Sequence, residues 1–581
     1  MQRSTLAKRA WLLLFAAAAV AYIGGLGQIP LIGPDEPRYA QVAREMFERA
    51  DPVTPTLGGR TWFEKPALAY WAMMASFLMF GISEWSARLG SALAGLLTIL
   101  FVWWLGRRIE AAGGEEMRGF GLACAATTAT CGGLVIFSRG ASFDIFLTAT
   151  LTAALACFLA SELDGDEHQR RRLLVGFYAG VGAALLAKGL VGVVLPAGII
   201  GLYFIFRRRW PRALLKSFWW GGLVALGVAA TWYAPVVARH GWKFIDEFFV
   251  QHHFARYVSN KYNHPQPFYY YPPVALLLAL PWTIFLLEGF TRAARLAWRP
   301  ENASQRNDIN SRADEATGDD AEAASRPLQE ATRRPPLEAT CSMRLFALAW
   351  LLFPVLFFSL SGSKLPGYIL PALPGAMLLA GERLSRYLRG ENGTRGMRLT
   401  GALALLLVLI CGGYAVYAGI VSFSIALIIA LPCVLAGALA LLRPQARRLC
   451  AVSLVCAVLL LVALITAFGL QKIAESQSMY ALLERARARG YASTPVLQLH
   501  DIERTSEFYA AVRITYDAEG QPARLQGPGE VAEALRRQGG AALVIVPLQY
   551  ISQLTEAAYF ETELIGDNGW NALVAVRLKH D

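Results

Sequence analysis

The 581-residue chain has little charge for its length. Only 17% of its residues are Asp, Glu, Lys or Arg, whereas soluble domains average about 25%. Long apolar runs accompany this low charge, which excludes an ordinary soluble globular protein and indicates a polytopic α-helical membrane protein. The net charge of +12 does not indicate nucleic acid binding, because the Lys and Arg residues cluster at the ends of apolar runs and so follow topology.

The sequence also lacks the usual motifs for zinc, disulfides and nucleotides. Its eight cysteines form no CxxC pair and no Cys/His spacing typical of zinc. All except Cys341 lie in or beside apolar runs, as packing residues do. No P-loop and no strand-linked GxGxxG occurs, so neither a nucleotide nor a nucleic acid is expected as a partner.

The number and sidedness of the apolar runs predict the topology. About thirteen runs are long enough to cross a hydrocarbon core of ~30 Å. The first is expected to be a retained signal anchor, with a cleaved signal peptide as the alternative. The run at residues 66–80 is shorter and is predicted to lie as a helix in the outer interface. With the N-terminus inside, this choice places the main basic clusters on the cytoplasmic side, as the positive-inside tendency requires.

The apolar runs end at about residue 470, which divides the chain into a membrane domain, residues 1–470, and a C-terminal domain, residues 471–581. Two long segments then face outward, residues 28–84 and 239–271. The polar stretch 299–342 is expected to be a disordered cytoplasmic loop. In the C-terminal domain, "TPVLQLH", "ALVIVPL" and "NALVAVRL" predict buried strands, and "RTSEFYAAV" and "EVAEALRRQ" predict helices, which indicates a small outward-facing α/β domain.

An acidic pair follows the first apolar run, in "LIGPDEPRYAQVAREMF". Asp35 and Glu36 would begin an amphipathic helix on the outer side, with Arg38 and Tyr39 close behind. Capping of that helix by Asp35 is one explanation. Capping needs only one carboxylate, however, and does not account for the other ionisable residues at the outer turns.

Ionisable or hydroxyl-bearing side chains recur at the predicted outer turns. An ionisable group at membrane depth costs roughly 2.5–3.5 kcal/mol on insertion scales, so such groups usually have a function. A single cavity open to the outside would gather them. They are Glu64 and Lys65 in "RTWFEKPALAYW", Arg139 and Asp144 in "FSRGASFDIFLTAT", Lys188 in "LLAKGLVGVVLP", His252, His253, Arg256, His264 and Tyr269 in "FFVQHHFARYVSNKYNHPQPFYYY", and Lys364 and Tyr368 in "LSGSKLPGYILPALP".

Each of these residues also has a structural explanation. Lys188 could snorkel from a helix end, Asp144 could cap the following span, and Lys65 could be an ordinary interfacial lysine. Lys364 sits in a Ser-Gly-Ser turn before a proline, which is loop chemistry. The aromatic run containing Tyr269 could belong to an interfacial belt.

The predicted cavity suits a lipid-linked sugar. Fixed cations suit phosphate groups, and carboxylates suit a cationic or hydroxyl-rich partner. An outward-facing enzyme has no access to cytoplasmic nucleotide sugars, so the activated donor would come from the membrane as a sugar on a polyprenyl phosphate.

The motifs "PDEPRYAQVAREMF", "WFEKPALAYW", "LLAKGLVGVVLP", "HHFARY", "HPQPFYYY" and "SGSKLPGYILPALPG" resemble the bacterial lipid A aminoarabinose transferases. Those enzymes are related to protein O-mannosyltransferases within the class C glycosyltransferases. The resemblance implies transfer of 4-amino-4-deoxy-L-arabinose from undecaprenyl phosphate to lipid A phosphates at the periplasmic face of the inner membrane, which confers polymyxin resistance. It also implies thirteen spans with interfacial helices in the first periplasmic loop.

The resemblance implies roles for the candidate residues. Asp35 would position the acceptor or pair with the sugar's ammonium, and Glu36 or Asp144 would help to hold the aminosugar. Lys65, Arg256 and Lys364 would bind the polyprenyl phosphate and stabilise it as the leaving group, whereas Lys188 could serve either phosphate. Tyr368 would donate a hydrogen bond nearby. The remaining candidates for substrate binding are Arg38, Tyr39, Arg139 and Tyr269.

Cofactor and function both keep alternatives. A divalent metal ion is possible on Glu64 with His253 or His264, but three scattered ligands are weak grounds for one. The sugar could be another polyprenyl-linked one, transferred to protein or lipid. A transporter or flippase is the alternative from another class, but its typical internal repeats and broken mid-membrane helices are not found in the sequence.

Overall fold

The structure is a computed structural model. It describes residues 2–208, 211–248, 266–298, 336–517 and 521–579. Most of this chain is helical up to residue 488, and a β-sheet follows.

The membrane part is built from helices. Two short strands, β1 (Thr56–Leu57) and β2 (Arg60–Thr61), form a small hairpin between the second and third helices. The helices are α1 Gln2–Ile23, α2 Asp35–Glu48, α3 Leu68–Phe80, α4 Glu84–Gly113, α5 Phe120–Ala129, α6 Gly132–Ser138, α7 Phe143–Leu163, α8 Glu167–Lys188, α9 Val191–Arg207, α10 Arg212–Ile245, α11 Tyr271–Leu278, α12 Thr283–Trp298, α13 Pro336–Ser359, α14 Leu373–Arg389, α15 Arg395–Tyr417, α16 Phe423–Leu442 and α17 Arg447–Leu464.

Within the described residues, seven helices are long and apolar enough to cross a membrane by themselves. They become eight if α5 and α6, which meet at a bend of 55°, form one span. The chain is therefore an integral membrane protein, while the count of thirteen spans stays a prediction. The short helix expected at residues 66–80 is present as α3, whose 13 residues reach only about 20 Å.

The packing core lies among α4, α5, α7, α8, α13 and α14. Small residues allow close approach there: a Cβ on Gly106 of α4 would lie 2.8 Å from the Cα of Gly121 in α5, as is typical of helix contacts in membranes. The helices α15 to α17 instead leave large apolar side chains exposed, including Leu406, Leu409, Leu427 and Leu435. Lipid around these helices would cover that surface.

The C-terminal part is a three-layer α/β domain, as predicted. Its sheet has the order β4-β3-β5-β7-β6, with β3 parallel to β4 and β5 and with β7 antiparallel to β5 and β6. Its elements are α18 Gln471–Ser476, α19 Tyr480–Ala488, β3 Val496–Leu499, α20 Thr505–Tyr509, β4 Arg524–Leu525, α21 Pro528–Arg537, β5 Ala541–Pro547, α22 Ser552–Thr555, β6 Phe560–Asp567 and β7 Asn571–Leu578.

The continuous apolar runs of these strands reflect burial on both faces of the sheet. Val544 and Val546 of β5 pack with Leu535 of α21 on one face. Leu543 and Ile545 pack on the other face with α19. The structure adds β4 and β6, which the sequence did not predict, because β4 has only two residues and β6 ("FETELIGD") is a polar strand at the sheet edge.

One predicted boundary differs from the structure. Helix α13 begins at Pro336, inside the stretch 299–342 that was expected to be a disordered loop. Glu338 and Ser342 on the first turns of α13 both bond Arg207 at the end of α9, the former at 3.1 Å. This contact fixes the start of the helix, and the predicted loop from 299 to 335 lies outside the described residues.

Candidate functional site

One cavity of about 620 Å³ gathers most of the predicted residues that the structure describes. It lies where one set of helix ends meets: the ends of α1, α6, α8 and α17 and the starts of α2, α4 and α7. Of the residues predicted from the sequence, eight line it: Asp35, Glu36, Tyr39, Lys65, Arg139, Asp144, Lys188 and Tyr368. The structure thus brings these eight residues, which are scattered along the sequence, to one cavity.

The lining has a charged part and an apolar part. The charged part holds the carboxylates and cations just named. The apolar part comes from the loop between α1 and α2 and from the end of α17, and it includes Ile29, Ile32, Val462, Ile465 and Leu470. A molecule with a charged head and a hydrocarbon tail would match both parts.

Glu36 is held by an arginine that the sequence analysis missed. Both carboxylate oxygens accept bonds of 2.7 Å from Arg88 of α4, whose side chain is 2% exposed. The Glu36 carboxylate also accepts from the backbone N–H groups of Ile32 (3.1 Å) and Ala141 (2.8 Å). Burial alone would raise the pKa of Glu36, but Arg88 and these amides outweigh it, so the pKa lies below its ordinary value.

Arg88 is itself saturated. Its remaining N–H groups donate to the carbonyl oxygens of Leu26, Ile29 and Pro30 at 2.7 to 2.9 Å. All five guanidinium donors are thus used. The signal for Arg88 was visible as a lone arginine in the first turns of an apolar run, "SEWSARLG".

Asp35 has a different environment from its neighbour. Its side chain is 51% exposed and pairs with Arg38 one turn later on α2. The N-cap of α2 is Pro34, and no side chain caps this helix end. The capping explanation for Asp35 is therefore wrong in this structure. The half-exposed Asp35 side chain instead lines the cavity.

Arg38 lies behind the cavity wall. Its guanidinium is 4.0 Å from Glu64 and lies over the rings of Tyr39 and Trp62, at 5.7 and 5.6 Å from their centroids. Glu64 also pairs with Lys65 at 3.1 Å. Two cations therefore contact Glu64, and the histidines predicted to share a metal ion with it lie outside the described residues.

Asp144 and Lys188 form a second ion pair on the cavity wall. The Lys188 ammonium donates to Asp144 Oδ1 and lies 4.5 Å from the centre of the Tyr368 ring. Ser142 is the N-cap of α7 and accepts from the Asp144 N–H, so the Asp144 side chain is not the cap. Snorkelling likewise does not describe Lys188, which turns to its partner inside the protein.

Two more cations flank this wall. Arg139 donates to the backbone carbonyls of Ala21, Tyr22 and Gly24 at the end of α1 and to Thr466 at 2.9 Å. Among the described residues, all of these hydrogen-bond partners of Arg139 are uncharged. Lys364 is buried, donates to the Ser361 carbonyl at 2.6 Å, and directly precedes the lining residues that include Tyr368.

The other predicted residues divide into one that the structure places away from the cavity and four that it does not describe. Tyr269 is 70% exposed and does not line it. Its neighbours in sequence form an exposed aromatic turn, which accounts for the difference. His252, His253, Arg256 and His264 lie outside the described residues, and in the described part of the chain no three His, Cys, Asp or Glu side chains form a group able to hold a metal.

The fold is shared with solved structures of an aminoarabinose transferase. The structure of ArnT from Cupriavidus metallidurans bound to undecaprenyl phosphate matches with a TM-score of 0.70 at 24% identity, over 97% of this chain and 98% of that one. The apo form of the same protein matches with a TM-score of 0.72 at 22% identity, over 98% of both chains. The chain therefore has the fold of this class of multi-spanning membrane transferases.

Sequence relatives carry the same name. The undecaprenyl phosphate-alpha-4-amino-4-deoxy-L-arabinose arabinosyl transferase of Pseudomonas paraeruginosa is 31% identical over 408 residues, which is 69% of this chain and 64% of that protein. The Edwardsiella ictaluri protein of that name is 30% identical over 70% of this chain and 64% of its own. The match thus spans just under two thirds of these relatives. A family model described as dolichyl-phosphate-mannose-protein mannosyltransferase matches residues 64–235. The predicted resemblance is confirmed: the chain is a relative of the bacterial undecaprenyl phosphate-aminoarabinose transferases.

Proposed function

We propose that the protein transfers 4-amino-4-deoxy-L-arabinose from undecaprenyl phosphate to phosphate groups of lipid A. The observation that carries this proposal is the divided lining of the cavity, in which Asp35, Asp144, Lys65, Arg139 and Lys188 face the same space as an apolar wall. A polyprenyl phosphate has the matching shape of a charged head on a hydrocarbon tail. The relatives' names and the ligand of the solved homologue support this choice of donor.

In the proposed reaction, an ionised oxygen of the acceptor phosphate attacks C1 of the sugar. The bond from C1 to the undecaprenyl phosphate oxygen breaks, and that phosphate leaves with the electron pair. Lys188, Lys65 and Arg139 stabilise the charge that develops on the leaving group, the electrostatic role that is often largest in such transfers. No strong base is needed, because the acceptor phosphate is already ionised.

The carboxylates have divided roles in this reaction. Asp35, which is half exposed at the cavity, and Asp144 pair with the ammonium of the aminosugar and hold its ring. Lys188 moves its bond from Asp144 to the phosphate as the substrate enters. Glu36 has no free lone pair for a substrate, because four N–H groups already bond it, so its role is to hold the start of α2.

The proposed location is the inner membrane, with the N-terminus in the cytoplasm. The cavity and the C-terminal domain lie at the same end of the helices, since Tyr509 of that domain bonds Leu31 beside the cavity. Arginines cluster at the opposite helix ends, for example Arg107 and Arg108 at the end of α4 and Arg207 at the end of α9. The positive-inside tendency makes that opposite end cytoplasmic, which supports a periplasmic cavity and domain.

Mass spectrometry of lipid A tests the proposal. Polymyxin-sensitive cells that make the aminoarabinose donor but lack a transferase would express the native chain or its Asp35→Asn variant at matched levels. We expect a mass gain of one aminopentose, together with polymyxin resistance, for the native chain only. Unmodified lipid A with well-expressed native protein would contradict the proposal and favour another polyprenyl-linked sugar. Modification that survives Asp35→Asn would remove Asp35 from the reaction.

A further inference from the structure

The C-terminal domain is built into the wall that carries the acidic pair. Helix α20 packs against α2, and its Phe508 belongs to the same hydrophobic core as the membrane helices. The Tyr516 ring lies against Gly58 in the β1–β2 hairpin, 2.6 Å from where a Cβ would be. Gly58 has a φ of +59°, so both its conformation and its contact with the domain favour glycine.

One hydroxyl of this domain joins both ends of the first outer loop. The Tyr509 hydroxyl accepts from the backbone N–H of Leu31 at 2.6 Å and donates to Glu84 at 3.0 Å. Leu31 lies in the loop four residues before Asp35, the first residue of α2, and Glu84 lies one turn before Arg88 on α4. Burial and the nearby Glu84 raise the pKa of Tyr509, so the hydroxyl keeps the proton that it donates.

A buried carboxylate of the same helix reinforces this contact. Glu507 is fully buried and pairs with Arg504 at 2.7 Å, and its other oxygen has no hydrogen-bond partner among the residues that the structure describes. Its charge acts on Arg38, together with the charges of Asp35 and Glu64. The domain therefore contacts α2 directly through α20 and contacts the loop before α2 through Tyr509, and it acts electrostatically on the arginine that pairs with Asp35.

We propose that Tyr509 of the C-terminal domain is a positioning residue for the acidic pair. This inference rests on the proposed transferase function. By holding the backbone at Leu31 and the first turn of α4 together, Tyr509 sets the distance between α2 and Arg88. The orientation of Asp35 toward the sugar depends on that distance, whereas the cations that bind phosphate lie on other elements.

The Tyr509→Phe variant tests this role, with Tyr491→Phe as its matched control. Tyr491 lies in the same domain and also donates to a glutamate, Glu563 at 2.6 Å, but this glutamate lies on β6 and neither residue lines the cavity. We expect Tyr509→Phe to lower kcat for aminoarabinose transfer about tenfold, a barrier change of about 1.4 kcal/mol. Undecaprenyl phosphate binding should stay within about twofold, and Tyr491→Phe should match the native protein in both assays.

A double-mutant cycle separates positioning from general stability. Glu84→Ala removes the acceptor of the same hydroxyl, so its effect on kcat should not add to that of Tyr509→Phe. Full additivity would overturn the proposal. Native kcat in Tyr509→Phe would also overturn it, as would a parallel loss of binding with early melting of the C-terminal sheet.

Hydrogen exchange gives a readout that does not depend on the substrate. Amides of residues 29–36 should exchange faster in Tyr509→Phe, whereas those of β5 and β7 should not change. If the native chain transfers no aminoarabinose, the proposed function fails, and this measurement still decides the positioning role. Native-like exchange at residues 29–36 would overturn it.

Discussion

The cavity is lined by two ion pairs, and they differ in how completely they are hydrogen-bonded. In the Glu36–Arg88 pair, four N–H groups bond the carboxylate and five acceptor contacts satisfy the guanidinium. In the Asp144–Lys188 pair, among the described residues, the carboxylate accepts one side-chain hydrogen bond, and the ammonium has one carboxylate partner and an aromatic ring. Both pairs are largely buried and both line the cavity.

This comparison shows that a buried charge next to a cavity is not enough to identify a reacting group. A carboxylate with every lone pair bonded can exchange none of its partners without a large cost. The Lys188 ammonium has three N–H donors, and among the described residues one of them bonds a carboxylate. It can therefore bond a substrate phosphate without losing all of its contacts with the protein. We therefore assign a structural role to the Glu36–Arg88 pair and substrate contact to the Asp144–Lys188 pair.

The largest effect, a loss of stability, is expected at the fully hydrogen-bonded Glu36–Arg88 pair. Arg88→Met would leave the Glu36 carboxylate and three carbonyl oxygens buried without their partner, which costs about 3–5 kcal/mol. Thermal unfolding in detergent should show much lower stability and a low folded yield. Arg44→Met is the control, since Arg44 forms an exposed pair with Glu48 on α2 and should change stability by at most about 0.5 kcal/mol. A native melting curve for Arg88→Met would contradict the assignment.

A substitution in the Asp144–Lys188 pair should lower the activity but leave the protein folded. Lys188→Met removes a cation aimed at the substrate phosphate, and we expect transfer to fall about 100-fold. Stability should change little, because cavity water can hydrate Asp144. The measurement is the transfer rate per folded molecule, with Lys216→Met as a control at an exposed lysine of α10. Native transfer by Lys188→Met would remove this lysine from the reaction.

A smaller effect on the transfer rate is expected at Gly367, whose backbone lies against the Asp144 carboxylate. A Cβ at Gly367 would overlap Asp144 Oδ2 and lie 2.7 Å from the Phe137 ring. Gly367→Ala should therefore displace the Asp144 carboxylate and lower the transfer rate about tenfold. Gly413→Ala, where no atom lies within 4 Å, should leave the rate at its native value. Equal rates for both variants would show that the position of Asp144 is not critical.

The smallest effect is expected at Tyr269. The resemblance made it a candidate for substrate binding, but it is exposed and does not line the cavity. Tyr269→Ala should change the transfer rate by at most about twofold, in the range of surface substitutions. A drop of tenfold or more would show that the residue reaches the substrate.

The sequence predicts the membership of the cavity better than the bonding inside it. Asp35, Lys65, Asp144, Lys188 and Tyr368 stand out because polar groups at the ends of apolar runs are costly unless a cavity uses them. The pairing of Asp144 with Lys188 depends on how α7 packs on α8, and periodicity does not reveal such a partner. Arg88 was missed for the same reason, since its role appears only when α2 lies across α4.

The C-terminal domain shows the same limit. Its buried strands were predictable from continuous apolar runs such as "ALVIVPL", because burial on both faces leaves little choice of residue. The docking of Tyr509 between Leu31 and Glu84 was not predictable. It joins residues 478 apart in sequence, and a lone tyrosine on a short helix has no local pattern.

The comparison of Glu36→Gln with Asp144→Asn tests the account most directly, because the chemical change is the same at both pairs. Each variant would be measured for thermal unfolding and for aminoarabinose transfer to lipid A per folded molecule. We predict that Glu36→Gln melts far below the native protein but that its folded molecules still transfer the sugar. The free energy of unfolding of Asp144→Asn should lie within about 1 kcal/mol of the native value. Its transfer rate should fall about 100-fold. Native transfer by Asp144→Asn, together with loss of transfer at native stability in Glu36→Gln, would contradict the account.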